Sequence, residues 1–263
     1  MPTITSRQNP IVARYRAAAR GEQPDQILID GPHLVAEALA AGVALAETAV
    51  TVAAAESAAL VNVLSGLGRA NVEVVTVSPA VMDALSPVRT SSGIVALAKR
   101  PVPDEAAIYS SASPLVVVAI DIQDPGNLGA IVRVAEAAGA TGLIATGACA
   151  DPFGWKALRG SMGSAFRLPI IAAESAAVAV ATARARGCRI VATVPRLGQS
   201  LFDAELIGAL AILVGSEGAG VSPALIDSAD ERVTIPMREP VESLNTSIAA
   251  ALVLYEVRRQ RTR

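Results

Sequence analysis

The amino-acid sequence predicts an α/β protein made of two α/β domains. Short apolar runs of strand length alternate with helical segments, and no repeat links the two halves of the chain. Residues 99–114 are rich in proline, serine and alanine and lack periodicity, so they mark a boundary. We predict a first domain over residues 1–100, a linker over 101–113 and a second domain over 114–263, each large enough to bury a core.

Apolar runs and turn residues define the elements of the first half. Pro10 marks an early helix position after a basic start. The predicted strands cover residues 26–30, 45–52, 72–77 and 93–98, and the predicted helices cover 33–41, 53–64 and 78–85. This alternation predicts a small α/β domain with a mainly parallel sheet.

The second half begins with a continuous apolar run at residues 115–120, as expected of a strand covered on both faces. Further strands are predicted at residues 142–146, 166–171, 189–194, 210–214 and 232–236. Helices are predicted at residues 127–138, 174–186, 222–228 and 246–261, with a short one within 151–162. The pattern alone predicts an open Rossmann-like sheet.

Composition and charge restrict the class of protein. No apolar run reaches the ~18 residues of a membrane span, and the start has no apolar core of a signal peptide. Two separated cysteines, Cys149 and Cys188, indicate reduced thiols and a cytoplasmic protein. The net charge of −2 does not indicate a nucleic-acid binder, although both chain ends carry four arginines and no nearby acid.

Common cofactor and metal motifs are absent from the sequence. Residues 215–220 read G-x-x-G-x-G instead of the dinucleotide pattern, and no phosphate-binding P-loop occurs. One histidine and two distant cysteines cannot form a zinc site, so no metal is expected. His33 starts a predicted helix, where a capping or surface role is expected rather than general-base chemistry.

Three polar segments at element ends remain as candidates for chemistry. In the first, Asn127 stands at a predicted helix entrance as its N-cap, and Arg133 on the same helix is equally compatible with a solvated or a functional role. The second is the glycine-rich turn 215–220 after an apolar strand. The third is the polar turn 242–247 between a strand and the last helix. Strand ends of this kind can hold a ligand through main-chain contacts.

Together these segments resemble the SpoU, or TrmH, class of RNA 2′-O-ribose methyltransferases in the SPOUT superfamily. The three motifs of the class are matched in order by Asn127-Leu128-Gly129 with Arg133, by residues 213–218 with Gly220, and by Ile235-Pro236-Met237 with residues 241–247. Residues 156–163 are also similar to the class. Residues 1–100 resemble the substrate-binding domain, related to ribosomal protein L30e, that often precedes the catalytic domain; Asp30-Gly31-Pro32 carries part of that likeness.

This resemblance implies a fold and a cofactor that the spacing of apolar residues does not reveal. The class threads its C-terminal segment through a loop to form a deep trefoil knot, which holds S-adenosylmethionine, and its members form homodimers with the site at the interface. Main-chain groups around Gly215, Ile235 and Leu244 are expected to hold the adenine and ribose, with Val194 as a further candidate.

The resemblance also implies the roles of polar residues. Arg133 is carried over as the catalytic arginine; because a guanidinium has a pKa above ~12, orientation of the ribose hydroxyl and stabilisation of oxyanion charge explain it better than general-base chemistry. Asn127 would orient ribose or phosphate, and Glu217, Ser243 and Asn245 would complete the site. The candidates for RNA phosphate contacts are Arg7, Arg14, Arg159 and Arg167.

There are three alternatives to a methyltransferase that acts on ribosomal RNA. A sister enzyme of the class could act on transfer RNA, but the extra N-terminal domain favours ribosomal RNA, 23S in particular. A non-catalytic RNA-binding protein with this fold is disfavoured because all five polar residues of the expected site are present. A nicotinamide dehydrogenase is disfavoured by the missing glycine pattern.

Overall fold

The computed structural model describes residues 3–102 and 104–262, and the chain forms two compact units. Unit 1 comprises residues 3–102 together with Phe153–Phe166. Unit 2 comprises residues 104–152 and 167–262. The segment 153–166 thus belongs to unit 1 although it lies between two stretches of unit 2 in the sequence.

Strands and helices alternate through the described ranges. The strands are β1 (Gln26–Asp30), β2 (Leu45–Thr51), β3 (Glu73–Val77), β4 (Ile94–Lys99), β5 (Leu115–Ile120), β6 (Gly142–Thr146), β7 (Ile170–Ala173), β8 (Arg189–Thr193), β9 (Gln199–Ser200), β10 (Leu210–Val214) and β11 (Glu231–Thr234). The helices are α1 (Pro10–Ala19), α2 (Pro32–Ala40), α3 (Val52–Ala55), α4 (Val61–Arg69), α5 (Pro79–Leu85), α6 (Glu105–Ile108), α7 (Pro125–Ala138), α8 (Trp155–Ser161), α9 (Ala176–Ala185), α10 (Pro223–Ser228) and α11 (Thr246–Arg261). Two 3₁₀ turns cover Ala58–Leu60 and Ser164–Phe166.

Unit 1 is built on a four-stranded sheet in the order β1-β4-β2-β3. The prediction of a mainly parallel sheet was wrong: β4 runs antiparallel to both of its neighbours, and only β2 and β3 are parallel. The last strand inserts between two earlier ones, and the periodicity of apolar residues carries no information about strand direction. α1 and α5 cover one face of the sheet, where Tyr15 is fully buried.

The helix α8 completes unit 1 by packing against β1. The residues that follow α8 approach α2 closely. Gly163 has a φ of +93°, and a Cβ there would lie 2.7 Å from the side chain of Glu37. The ring nitrogen Nε2 of His33 lies 3.3 Å from the carbonyl oxygen of Met162. His33 therefore has the surface role at a helix start that the sequence predicts.

Unit 2 is built on a seven-stranded sheet in the order β7-β6-β5-β10-β8-β11-β9, with every pair parallel. The central strands β5 and β10 are buried along their whole length, as the continuous apolar runs predict. α7 and α11 pack against each other beside this sheet. Parallel strands bring the ends of β5, β10 and β11 to one edge, and the polar segments that follow them meet there.

Several element boundaries differ from the prediction. The single helix expected at residues 53–64 is divided because the Ser57 hydroxyl accepts a hydrogen bond from the main-chain N–H of Ala59 and starts a new turn. The strand expected at 166–171 begins only at Ile170, since Pro169 has no N–H to donate to the sheet. The short elements α6 and β9 were not predicted, because four and two residues show no periodicity.

The described residues contain no helix long and apolar enough to cross a membrane. Within the same residues no cluster of histidine, cysteine and carboxylate side chains could hold a metal ion. Both cysteines are free thiols, as predicted, and Cys188 is buried in the core of unit 2.

Candidate active site

Three polar side chains from distant parts of the sequence meet in unit 2 in a cluster formed by Asn127, Glu217 and Asn245. The Asn127 Nδ2 donates to Glu217 Oε1 at 2.9 Å. The Asn245 Nδ2 donates to the same Glu217 oxygen at 2.6 Å and to Asn127 Oδ1 at 3.0 Å. Each residue belongs to one of the three segments that the sequence selected, so the structure brings these candidates together.

The start of α7 sets the position of Asn127. The prediction that Asn127 is the N-cap was wrong: Asp124 caps the helix, and its Oδ1 accepts the Asn127 N–H at 2.8 Å. The pair Asp124-Pro125 is a strong helix-start signal, with a capping carboxylate followed by proline at the first helical position. Asn127 is therefore the third residue of α7, and its amide side chain is available to the cluster.

Asn245 is held in one orientation because it caps α11. Its Oδ1 accepts hydrogen bonds from the main-chain N–H groups of Ser247 at 3.0 Å and Ile248 at 3.3 Å, and from the Ser247 hydroxyl at 2.6 Å. With the oxygen committed to the helix, the Nδ2 group must point to Asn127 and Glu217. Asn245 therefore caps α11 and contributes to the cluster with the same side chain.

The glycine-rich turn after β10 holds Glu217 and leaves no room at its first residue. A Cβ on Gly215 would lie 2.1 Å from the carbonyl carbon of Gly220 and 2.4 Å from the Val221 nitrogen. The carbonyl oxygen of Gly215 accepts a hydrogen bond from the buried Thr246 hydroxyl at 2.8 Å. The turn thus closes on itself and is tied to the start of α11.

Main-chain groups at two neighbouring positions are available to a ligand. Ile235 follows β11 and Leu244 precedes α11; within residues 3–102 and 104–262 neither makes a main-chain hydrogen bond. The N–H of Val194, by contrast, donates to the Val233 carbonyl oxygen at 2.9 Å, so only the carbonyl of Val194 remains available to a ligand. Half-buried main-chain groups without partners favour a ligand that supplies donors and acceptors.

Two expected catalytic residues lie outside the hydrogen-bonded cluster. Arg133 is exposed on α7 and forms no hydrogen bond or ion pair with any described residue. Ser243 is exposed in the turn before α11 and makes no hydrogen bond with the described part of the chain. Both side chains are therefore available to a substrate.

The four arginines expected to contact RNA differ in their present partners. Arg14 pairs with Glu47 at 2.8 Å, and Arg167 pairs with Glu136 at 2.5 Å. Arg7 donates through Nε to the Ala80 carbonyl at 2.8 Å. Arg159 on α8 is exposed and unpaired within the described residues.

Two residues that were not among the predicted site residues hold the site. Asp124 fixes the start of α7, and Thr246 joins α11 to the turn at Gly215. The Asp-Pro pair was a readable signal for the first. Thr246 lies in the third motif, but its role could not be predicted, because its hydroxyl meets a carbonyl 31 residues away.

Comparison with known proteins places this arrangement in a family. The model of the SpoU rRNA Methylase family matches residues 114–255, and the model of the Thiostrepton-resistance methylase N terminus matches residues 1–110. The chain belongs to the SpoU rRNA methylase family. The resemblance carried by the three sequence motifs is confirmed.

The chain is also similar to individual proteins of the SpoU family. The chain is 33% identical to an uncharacterized tRNA/rRNA methyltransferase of Synechocystis sp., over 98% of this chain and 94% of the relative. It is 36% identical to the 23S rRNA (guanosine(2553)-2′-O)-methyltransferase RlmP of Bacillus subtilis, over 54% of this chain and 57% of that protein. The crystal structure of the SpoU methyltransferase AviRb from Streptomyces viridochromogenes with AdoMet matches with a TM-score of 0.85 at 28% identity, over 97% of this chain and 99% of that one.

Proposed function

We propose that this SpoU-family protein transfers a methyl group from S-adenosylmethionine to a ribose 2′-hydroxyl of ribosomal RNA. The chain is an S-adenosylmethionine-dependent RNA methyltransferase. The cluster of Asn127, Glu217 and Asn245 supports this proposal and indicates where the reaction takes place. It lies at the same sheet edge as the closed turn at Gly215.

The residues at this edge fit the cofactor. Ile235 and Leu244 offer free main-chain donors and acceptors for an adenine and a ribose, and the Val194 carbonyl offers one more acceptor. When bound, S-adenosylmethionine supplies an electrophilic methyl group. The AviRb structure, similar over nearly the whole chain, contains AdoMet. We further propose that the segment from Ile235 to α11 forms the trefoil knot of the superfamily.

The residues of this chain would position the ribose and manage its charge. Arg133 is exposed and has no hydrogen-bond or ion-pair partner in the described part of the chain, so its guanidinium can donate to a ribose oxygen and stabilise negative charge that develops there. Asn127 is held by Glu217 and Asn245 and would orient the ribose or its phosphate. Ser243 completes the site as an available hydroxyl. Orientation of the hydroxyl supplies part of the rate enhancement by removing rotational freedom.

RNA binding would depend unequally on the four arginines. Arg159 has no competing partner among the described residues, whereas a carboxylate partly neutralises the charge of Arg14 and of Arg167, and Arg7 has its Nε committed to a carbonyl. Ribosomal RNA is favoured because the N-terminal residues 1–110 match the thiostrepton-resistance methylase model and RlmP acts on 23S rRNA.

A homodimer is proposed from an apolar face of α11. Ile248, Leu252 and Tyr255 are spaced by four and three residues, share one face, and are 53%, 43% and 50% exposed. A second copy of the chain, in the cytoplasm, would bury this face. The variant Leu252→Glu should be monomeric by light scattering, and a dimer that persists unchanged would contradict this interface.

Tritiated S-adenosylmethionine offered with purified ribosomal RNA and transfer RNA tests the substrate. Label is expected in 23S rRNA with the wild type and should be lost in Arg133→Ala, while calorimetry should find cofactor affinity nearly unchanged in that variant. If label were found only in transfer RNA, the substrate would be transfer RNA and not ribosomal RNA. Full activity of Arg133→Ala would remove Arg133 from the chemistry.

A further inference from the structure

Unit 1 contains a cavity that the proposed methyl-transfer site does not use. It has a volume of about 310 Å³ and lies between the β1–α2 turn, the loop 86–93 and α8. All of its lining residues belong to unit 1. Since ligand pockets span roughly 300–1,000 Å³, this cavity is suited to a ligand no larger than about one nucleotide.

The largely buried carboxylate of Asp30 lines one wall of the cavity. Asp30, at the end of β1, is 8% exposed. Its Oδ2 accepts the Ser86 hydroxyl at 2.6 Å, whereas its Oδ1 has no hydrogen-bond partner in the part of the chain that the structure describes. Oδ1 is not one of the fully buried polar atoms that lack a partner, so it is accessible and can accept a hydrogen bond from a ligand N–H group.

Hydrogen-bond donors line another part of the same cavity. Arg159 lines it with a guanidinium that has no hydrogen bond or ion pair within residues 3–102 and 104–262, and Thr90 and Ser92, which carry hydroxyls, line it as well. The helix α2, nine residues long, begins at the cavity, and its N-cap Gly31 provides no side-chain cap, unlike the N-caps of α1, α3 and α5. A guanidinium, two hydroxyls and uncapped helix N–H groups suit a phosphate.

We propose that this cavity is a nucleotide-binding subsite for one unpaired RNA nucleotide whose base carries an exocyclic amino group, with cytosine as the best fit. The phosphate binds Arg159 and the start of α2, and the amino group donates to Asp30. Carboxylates accept hydrogen bonds from cytosine N4, and single-stranded bases are read on their exposed edges. Cytosine is also the smaller of the amino-bearing base types. The RNA source of the ligand rests on the proposed function.

Binding of CMP and UMP to the full-length protein tests the subsite without any methyl transfer. The only tryptophan of the chain, Trp155, lies one helical turn before Arg159 on α8, so its fluorescence reports on this region. UMP places an acceptor oxygen where CMP places its amino group. We expect CMP to bind roughly tenfold more tightly than UMP, because one charge-assisted hydrogen bond is exchanged for a repulsive contact.

Two variants and a control separate the two halves of the subsite. Asp30→Asn can still accept the Ser86 hydroxyl but presents an amide N–H₂ to the cavity, so the preference should shift from CMP to UMP. Arg159→Gln should weaken both nucleotides by a similar factor. Arg69→Gln removes an exposed arginine of α4 in the same unit and should change neither affinity.

Equal binding of CMP and UMP by the wild type would overturn the proposed base recognition, and this comparison needs no variant to fold. An unchanged preference in a folded Asp30→Asn protein would do the same. An Arg159→Gln protein that binds as well as the wild type would refute the phosphate site. A wild-type protein that transfers methyl groups but shows no preference for CMP over UMP would refute the subsite alone. A protein that prefers CMP but transfers no methyl group would leave the subsite standing and refute the proposed function.

Discussion

The substitution Gly215→Ala should disrupt the turn that holds Glu217. The new Cβ would lie 2.1 Å from the Gly220 carbonyl carbon and 2.4 Å from two further main-chain atoms. To reach the 3.4 Å of an ordinary contact, the main chain must separate by about 1.3 Å. All three obstructing atoms belong to the backbone, so no side-chain rotation relieves the clash.

The expected cost follows from the physics of overpacking. Inserting a methyl group into a closely packed site typically costs about 1–3 kcal/mol, and backbone obstruction favours the upper part of that range. The displaced turn would also move the Gly215 carbonyl away from Thr246 and loosen the start of α11. We therefore expect lower stability and a loss of at least tenfold in S-adenosylmethionine affinity.

The measurement is urea unfolding combined with titration calorimetry for S-adenosylmethionine. Gly218→Ala is the matched control, because the same methyl group in the same turn meets nothing within 4 Å. The control should bind the cofactor like the wild type. A Gly215→Ala protein with the stability and affinity of Gly218→Ala would refute the claim that close main-chain packing at Gly215 shapes the cofactor site.

Further predictions concern the cluster and unit 1. Asn245→Ser should keep the N-cap of α11 and therefore the stability of the protein, but it should lose methyl transfer because the Nδ2 donor to Glu217 is gone. Asn245→Ala should lose methyl transfer as well and should also lower the free energy of unfolding, measured with urea, by about 1 kcal/mol. Burial raises the pKa of Asp30 above its usual 3.8, against the opposing effects of Ser86 and Arg159, so the folded protein holds this proton more tightly than the unfolded chain does. The free energy of unfolding should therefore fall as pH rises from 3.8 through the raised pKa, and Asp30→Asn should remove that part of the pH dependence. An identical pH profile in the variant would contradict this assignment.

The sequence predicted most elements of unit 2 because its central strands are apolar throughout and recognisable helices separate them. β5 and β10 are buried on both faces, and such strands appear as uninterrupted apolar runs. The direction of β4 in unit 1 could not be predicted in this way. It depends on which neighbours the strand inserts between, and that is decided by packing of the whole unit.

The candidate site was predicted in outline and not in its contacts. Asn127, Glu217 and Asn245 were selected from motif resemblance, and the structure joins them by hydrogen bonds across as many as 118 residues of sequence. The ion pair of Arg14 with Glu47 could not be predicted, since a basic residue in a sequence gives no sign of a partner 33 residues away. Arg159 lies in a segment that resembles the family and Arg14 does not, but only the folded protein shows that Arg14 is paired.

The most direct test of the proposed chemistry is the position of the transferred methyl group on the RNA. Ribosomal RNA labelled by the wild-type protein and tritiated S-adenosylmethionine is hydrolysed with alkali and the products are separated. Methylation of a ribose 2′-oxygen blocks cleavage at that nucleotide, so the label should be found in an alkali-resistant dinucleotide. Label in mononucleotides would place the methyl group on a base and contradict the proposed function.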